Sequence, residues 1–251
     1  YRLGIREGAI GVLMGTGALV SVALKLPLGM VVGRGARRAF LSLGAFLAAA
    51  STVPWLFVSG PGPHLFFIRV AQGASFSIFS AASYAYLAAS APPERRAEAF
   101  GIFGLSFFLP VSVGGWIGEW VIGRAGFHGL FAAGVGIAFL SALFPLAMRE
   151  PPAREHPSLA SLKVFLSRPF FLPNTAGYLF GVAYGAIFPF LPVYLVVCGS
   201  GSIGAFVFVY ALSVIGTRML GRRMLDRLPR EWVSLSALVL MGAGNLLIPA
   251  V

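Results

Sequence analysis

Acidic residues are scarce in this chain: 8 Asp and Glu stand against 19 Lys and Arg in 251 residues. Cysteine is scarcer. Cys198 stands alone, which excludes an internal disulfide. The three histidines, His64, His128 and His156, have no metal-ligand spacing among them, so no metal site is expected. The glycine-rich stretches form no phosphate cradle. There is no G-x-x-x-x-G-K-[ST] and no G-x-G-x-x-G opening a soluble helix, which argues against direct ATP use. No Ser-His-Asp or His-Cys constellation is present. An enzyme, a metalloprotein and a cofactor-binding protein are all disfavoured.

What the chain does have is apolar length. Hydrophobic residues make up 58% of it and charged residues 11%. Mean hydropathy is +0.87. A soluble domain carries about 25% charged residues. The net charge of +11 does not point to nucleic acid, because the basic residues lie between apolar segments rather than on one face. Fourteen of the 19 fall in four clusters: Arg34/Arg37/Arg38, Arg95/Arg96, Arg149/Arg154/Lys163/Arg168 and Arg218/Arg222/Arg223/Arg227/Arg230. The clusters occupy every second junction. The alternate junctions Ser59–Pro63 and Gly199–Ser202 carry no charge, and the remaining one carries only Arg124. This is the positive-inside pattern of a polytopic membrane protein, with attraction to anionic lipid at the inner surface.

A helical span needs about 20 predominantly apolar residues. Eight segments qualify: Ala9–Val32, Ala39–Val58, Leu65–Ala88, Phe100–Ile122, Gly129–Ala147, Phe171–Val197, Ile203–Leu220 and Val233–Val251. The runs are long and continuous, unlike the alternating segments of about ten residues that build a barrel, so an all-α fold is predicted. With the basic clusters inside, the first span runs inward, and both termini lie outside the cell's inner (plasma) membrane. The longest inner connection, Met148–Pro169, separates residues 1–147 from 170–251 as two halves. Within it, Leu159, Leu162, Phe165 and Leu166 share one face, which fits either a short interfacial helix or a plain linker. The pairs Gly11/Gly15, Gly29/Gly33, Gly114/Gly118 and the series Gly177/Gly181/Gly185 follow small-xxx-small spacing for close helix packing. The chain starts without methionine and stops in an apolar run, and it reads as a piece of a longer protein.

Two inner junctions can be overlaid. Gly33–Arg38 matches Asp226–Glu231 at a constant offset of 193, each after an inward span and before an outward one. Transporters are commonly built from such repeated halves. Here the sequence resembles the major facilitator superfamily, whose loop motif has the form G-x-x-x-D-R-x-G-R-R. Gly29, Arg34, Arg37 and Arg38 fit its first copy, and Asp226, Arg227 and Arg230 its second. The first copy departs at Gly33, where the family has its acid, and at Ala36, where it has its later glycine. In the second copy Arg222 and Pro229 replace the two glycines. In the third span, Arg69-Val70-Ala71-Gln72-Gly73 resembles the family's fourth-helix R-x-x-Q-G. Pro92–Gly101 is similar to the loop before its fifth helix. Pro110 with Gly114 and Gly115 resembles the exporters' fifth-helix G-P-x-x-x-G in degraded form. Tyr210-Ala211-Leu212, followed by Arg218 and Asp226-Arg227, resembles the eighth helix of arabinose-efflux-like bacterial permeases. The resemblance implies a two-bundle fold in which the eight spans are helices 2 to 9 of twelve.

Arg69 is the leading candidate for function. A charge at the centre of a lone helix costs about 2.5–3.5 kcal/mol on insertion scales. Residues 69, 72, 73, 76, 80, 83 and 84 share a face, which reads Arg, Gln, Gly, Phe, Ser, Ser, Tyr. This stripe fits a cavity wall that includes Ser80, Ser83 and Tyr84. The alternative is that Arg69, close to the span's end, snorkels outward. Lys25 either snorkels inward or lines the cavity. Glu119 either carries a proton or is a solvated helix end near Arg124. Asn174, Tyr178 and Tyr184 in the sixth span either contact substrate or pack.

Taken with the resemblance, these residues imply a secondary active transporter, specifically proton-coupled efflux (antiport) of small organic molecules, drug or sugar-like, by alternating access. Gly29, Arg34, Arg37, Arg38, Asp226, Arg227 and Arg230 would set the conformational bias, and Arg69, Gln72, Gly73, Lys25 and Glu119 would serve transport and coupling. The expected partners are a small-molecule substrate, protons and lipid, with a monomeric full-length protein. An uncoupled facilitator or uptake permease is the alternative within the class. A non-transporting assembly subunit is the alternative outside it.

Overall fold

The computed structural model describes residues 7–32, 35–151, 168–187, 190–191, 194, 203–220 and 229–247. Seven α-helices account for most of them: α1 (Glu7–Val32), α2 (Arg37–Thr52), α3 (His64–Ser90), α4 (Arg96–Ala147), α5 (Arg168–Ile187), α6 (Ile203–Leu220) and α7 (Arg230–Leu247). The described residues include no strand. Lipid offers no partner to an unpaired backbone group, so a chain this apolar satisfies its N–H and C=O groups within helices. Proline shapes one helix end. Pro54 stands in the first turn of a 3₁₀ segment, Val53–Phe57, that follows α2. Because proline has no N–H to continue the α ladder, the helix tightens there instead of running on.

Helix α4 holds two of the predicted spans. At 52 residues it would be about 78 Å long if straight, against a hydrocarbon core of about 30 Å. Gly126 breaks it, with φ 66° and ψ −169°. The chain turns back there. A Cβ on Gly118 would lie 3.8 Å from Leu130 Cδ1, although twelve residues of straight helix span about 18 Å. Gly126 thus divides α4 into a first limb and a second limb. The predicted loop between Ile122 and Gly129 is helical apart from this one residue. The predicted interfacial helix at 158–167 lies outside the described residues.

Two compact units emerge, residues 1–103 with 118–158, and residues 104–117 with 159–251. In the first, α3 packs on both α1 and α2. The second limb of α4 runs antiparallel to α2: Phe131 stacks on Trp55 at 5.9 Å, and Ala142 joins Ala45 and Ala49 in a small buried cluster. A second cluster joins Leu13, Leu65 and Ile68, and a third joins Val32, Leu41 and Ala82. Beside these few aliphatic side chains, much of the interior is made of small residues. Ser21, Ser51, Ser75, Ser77, Ser80 and Ser83 are buried, whereas Val12, Leu19, Phe57, Phe67 and Phe144 are exposed. That inversion suits helices whose outer face meets hydrocarbon and whose contacts rely on close backbone approach.

The closest approach joins α1 to α3. Ser77 donates its hydroxyl to the Ser21 carbonyl at 2.9 Å, and Gly73 lies directly against Gly17. In the second unit, a Cβ on Gly115 would lie 3.1 Å from Gly204 Cα, and one residue on, Trp116 stacks on Phe208 at 4.7 Å. The predicted small-xxx-small glycines behave differently. Among the described residues, Gly15, Gly29, Gly114, Gly177, Gly181 and Gly185 have nothing within 4 Å of a built Cβ. Close contact therefore falls on other glycines than most of those the spacing singled out.

Candidate functional site

Within the first unit, α2, α3, the second limb of α4 and Phe103 of its first limb line an open cleft of about 790 Å³, inside the 300–1,000 Å³ range of small-molecule pockets. It extends along α3 from Arg69 to Leu87, about 27 Å at 1.5 Å per residue. Its walls are apolar: Leu41, Phe76, Phe79, Phe103, Phe144 and Pro145. The serine and threonine hydroxyls that border it are already engaged on their own helices. Ser51 donates to the Ala48 carbonyl, Thr52 to Ala49, Ser75 to Gln72, Ser83 to Phe79 and Ser141 to Ala138.

Arg69 brings the only charged side chain among the described residues that line this cavity. It sits roughly 8 Å along α3 from His64. Nη1 donates to Gln72 Oε1 at 3.2 Å, and the guanidinium carbon lies 5.4 Å from the Trp55 ring centroid. Such a cation–π contact is worth about 0.5–2 kcal/mol, more as water is excluded. Nε is buried and has no hydrogen-bond partner among the described residues. The arrangement presents a planar cation, braced by an amide and an indole, at one end of an apolar cleft.

The polar stripe read from the sequence divides in two. Arg69, Gln72, Phe76 and Ser83 line the cavity. Gly73 instead meets Gly17 on α1. Ser80 is buried and donates to the Ser77 carbonyl. Tyr84 is exposed and packs on Phe100 and Phe103. A stripe this wide on one helix meets two neighbours at once.

The other candidates are dispersed. Lys25, Gly29, Pro110, Gly114 and Glu119 are exposed on their helices. In the second unit Asn174 and Tyr178 are exposed, while Tyr184 lies 6.4 Å from Tyr210 and 6.1 Å from Phe180, ring centroid to ring centroid. Arg34, Asp226 and Arg227 lie outside the described residues, and Arg230 opens α7. Arg37 and Arg38 open α2, with Arg37 4% exposed. The first-copy loop bends sharply before them: Gly35 has φ 127° and Ala36 has φ 55°.

Two residues that the sequence did not single out belong to this region. Trp55 braces Arg69, and a tryptophan beside Pro54 at a span end was the available signal. Glu150 is the other. Its Oε1 and Oε2 accept the backbone N–H groups of Arg37 and Arg38, each at 2.8 Å. Nothing local marks it, since the partners are 113 and 112 residues away.

Comparison with known proteins agrees with this architecture. Residues 1–251 match the sequence model of the Major Facilitator Superfamily. The chain is 28% identical over 176 residues to a multidrug resistance protein B homolog of Mycobacterium tuberculosis, covering 67% of this chain and 31% of that protein. It is 29% identical over 116 residues to the uncharacterized MFS-type transporter MJ1560 of Methanocaldococcus jannaschii, covering 46% and 30%. To the inner membrane transport protein YajR of Escherichia coli it is 30% identical over 103 residues, covering 41% and 21%. The chain thus spans less than a third of the length of these curated relatives. With the family matched from end to end and every described element of regular structure helical, this chain belongs to the major facilitator superfamily, a family of multi-pass membrane transporters rather than enzymes.

Proposed function

We propose that the protein is a secondary active transporter that exports small organic molecules in exchange for protons by alternating access. Residues 1–147 and 170–251 would contribute to two helical bundles in the inner membrane, joined by the inner linker 148–169, with residues 1 and 251 on the outer side. The observation that carries the reading is the cavity walled by apolar side chains with Arg69 and Gln72 at one end. An apolar wall suits organic molecules. A fixed cation biases the protonation of any acid that approaches it, because guanidinium stays ionised at every relevant pH. The multidrug resistance relative supports the export direction. The lining carries no carboxylate among the described residues, and that observation favours an uncoupled facilitator as the second reading.

The test is pH-driven counterflow by the full-length transporter at matched membrane levels. Arg69→Ala should lower the proton-coupled rate at least tenfold with normal insertion. Arg69→Lys should keep partial activity with a displaced pH optimum, because the charge remains while the planar fork and its contact with Trp55 change. Wild-type rates in Arg69→Ala would end the role proposed for this side chain. A rate insensitive to pH in the wild type would favour the facilitator.

A further inference from the structure

Helix α2 begins without a cap of its own. Its N-cap position is Ala36, which has no side chain able to accept a hydrogen bond. The first N–H groups of a helix point away from its own carbonyls and need outside acceptors. Local Ser, Thr, Asp or Asn ordinarily serves. Here the acceptor is Glu150, with one carboxylate oxygen on the Arg37 amide and the other on the Arg38 amide. A carboxylate at this end also opposes the positive pole of the helix.

The same stretch is fastened at further points. Arg38 donates through Nη2 to the Leu146 carbonyl. Tyr86, near the end of α3, donates its hydroxyl to the Arg149 carbonyl at 2.8 Å. Pro151 is buried, and a proline at that position holds Glu150 in an extended backbone conformation. Residues 146–151 are therefore docked on α2 and α3.

We propose that Glu150 is the positioning residue of the loop that carries Arg37 and Arg38. It supplies the cap of α2 from the far end of α4, so that the loop and the start of the linker form one mechanical unit. A displacement of the linker is then passed to both arginines, and a change at the loop is passed to the linker. The proposal rests on the transport reading only for its rate measurement.

Amide hydrogen exchange on the full-length protein tests the cap directly. In Glu150→Ala, exchange at residues 37–38 should quicken about fivefold, the effect of losing a typical helix cap, and exchange at residues 148–150 should quicken with it. Glu150→Gln keeps the shape and one acceptor oxygen and should lie between. Ala36→Asn, added to Glu150→Ala, supplies a local cap. It should restore protection at residues 37–38 and leave residues 148–150 fast. In counterflow, Glu150→Ala should lower the maximum rate at unchanged KM, and the double variant should stay low, because the linker is still untied. Unchanged exchange at residues 37–38 in Glu150→Ala would overturn the cap whatever the transport result. Full recovery of rate by Ala36→Asn, or a normal rate in Glu150→Ala despite faster exchange, would overturn the positioning role while leaving the transport reading intact.

Discussion

Gly73→Ala should separate α1 from α3. A Cβ at this position would lie 3.0 Å from the Gly17 carbonyl carbon, 3.1 Å from its Cα, and nearer still to its carbonyl oxygen. These are backbone atoms, so no rotamer change relieves the clash, and the helices must part by roughly 1 Å to restore ordinary contact. Overpacking of this kind costs about 1–3 kcal/mol. The movement also stretches the buried Ser77–Ser21 hydrogen bond, 2.9 Å long in the native packing, which adds about 0.5–1.5 kcal/mol. Better helix propensity returns up to about 1 kcal/mol. The net loss should be about 1–3 kcal/mol. Gly15→Ala is the control: nothing lies within 4 Å of its Cβ, and only the propensity gain remains. Thermal unfolding in detergent should rank Gly15→Ala at or above wild type and Gly73→Ala well below. In a background without Cys198, a Ser21→Cys/Ser77→Cys pair should form a disulfide that Gly73→Ala abolishes. Wild-type stability with an intact cross-link in Gly73→Ala would refute the contact.

Two further outcomes concern the backbone. Ala36 has φ 55°, a conformation that costs a side-chain-bearing residue about 1–2 kcal/mol. Ala36→Gly should be at least as stable as wild type in a thermal unfolding measurement, because relief of this strain offsets the added freedom of the unfolded chain, and Ala36→Val should lose about 1–2 kcal/mol. Gly126, at φ 66° and ψ −169°, occupies a region open essentially to glycine alone. Gly126→Ala should cost about 1–3 kcal/mol, and a cysteine pair at positions 118 and 130 should then cross-link more slowly.

The helices were legible because lipid leaves a chain few choices. Ile203–Leu220 appears with the predicted bounds, and α1 begins two residues before Ala9. The turn in α4 was legible as a gap between two apolar runs, but its form was not, since a single glycine makes the whole reversal. The choice of packing glycines was hidden for a different reason. Spacing marks the smooth face of a helix, whereas contact needs a second helix at the same depth, and the sequence pairs neither Gly17 with Gly73 nor Gly115 with Gly204. The stripe on α3 was read as one surface because its periodicity is sound. It divides because Gly73 turns toward α1 while Gln72, one residue away and about 100° around the axis, turns toward the cavity.

The loop before α2 shows how a departure from a family pattern acquires physical content. Where the resembled motif has a glycine, this chain has Ala36, and the backbone still takes the left-handed turn. That keeps the loop's path at the cost of strain and places a residue without an acceptor at the N-cap of α2. A helix start that its own loop cannot cap, here the turn that carries Arg37 and Arg38, needs acceptors from elsewhere for its first N–H groups. The chain has only 8 acids, and one of them, Glu150, accepts from the Arg37 and Arg38 amides through a single carboxylate. The consequence is connectivity: the first turn of α2 is completed by a residue that precedes the linker, so neither can be displaced without disturbing the other.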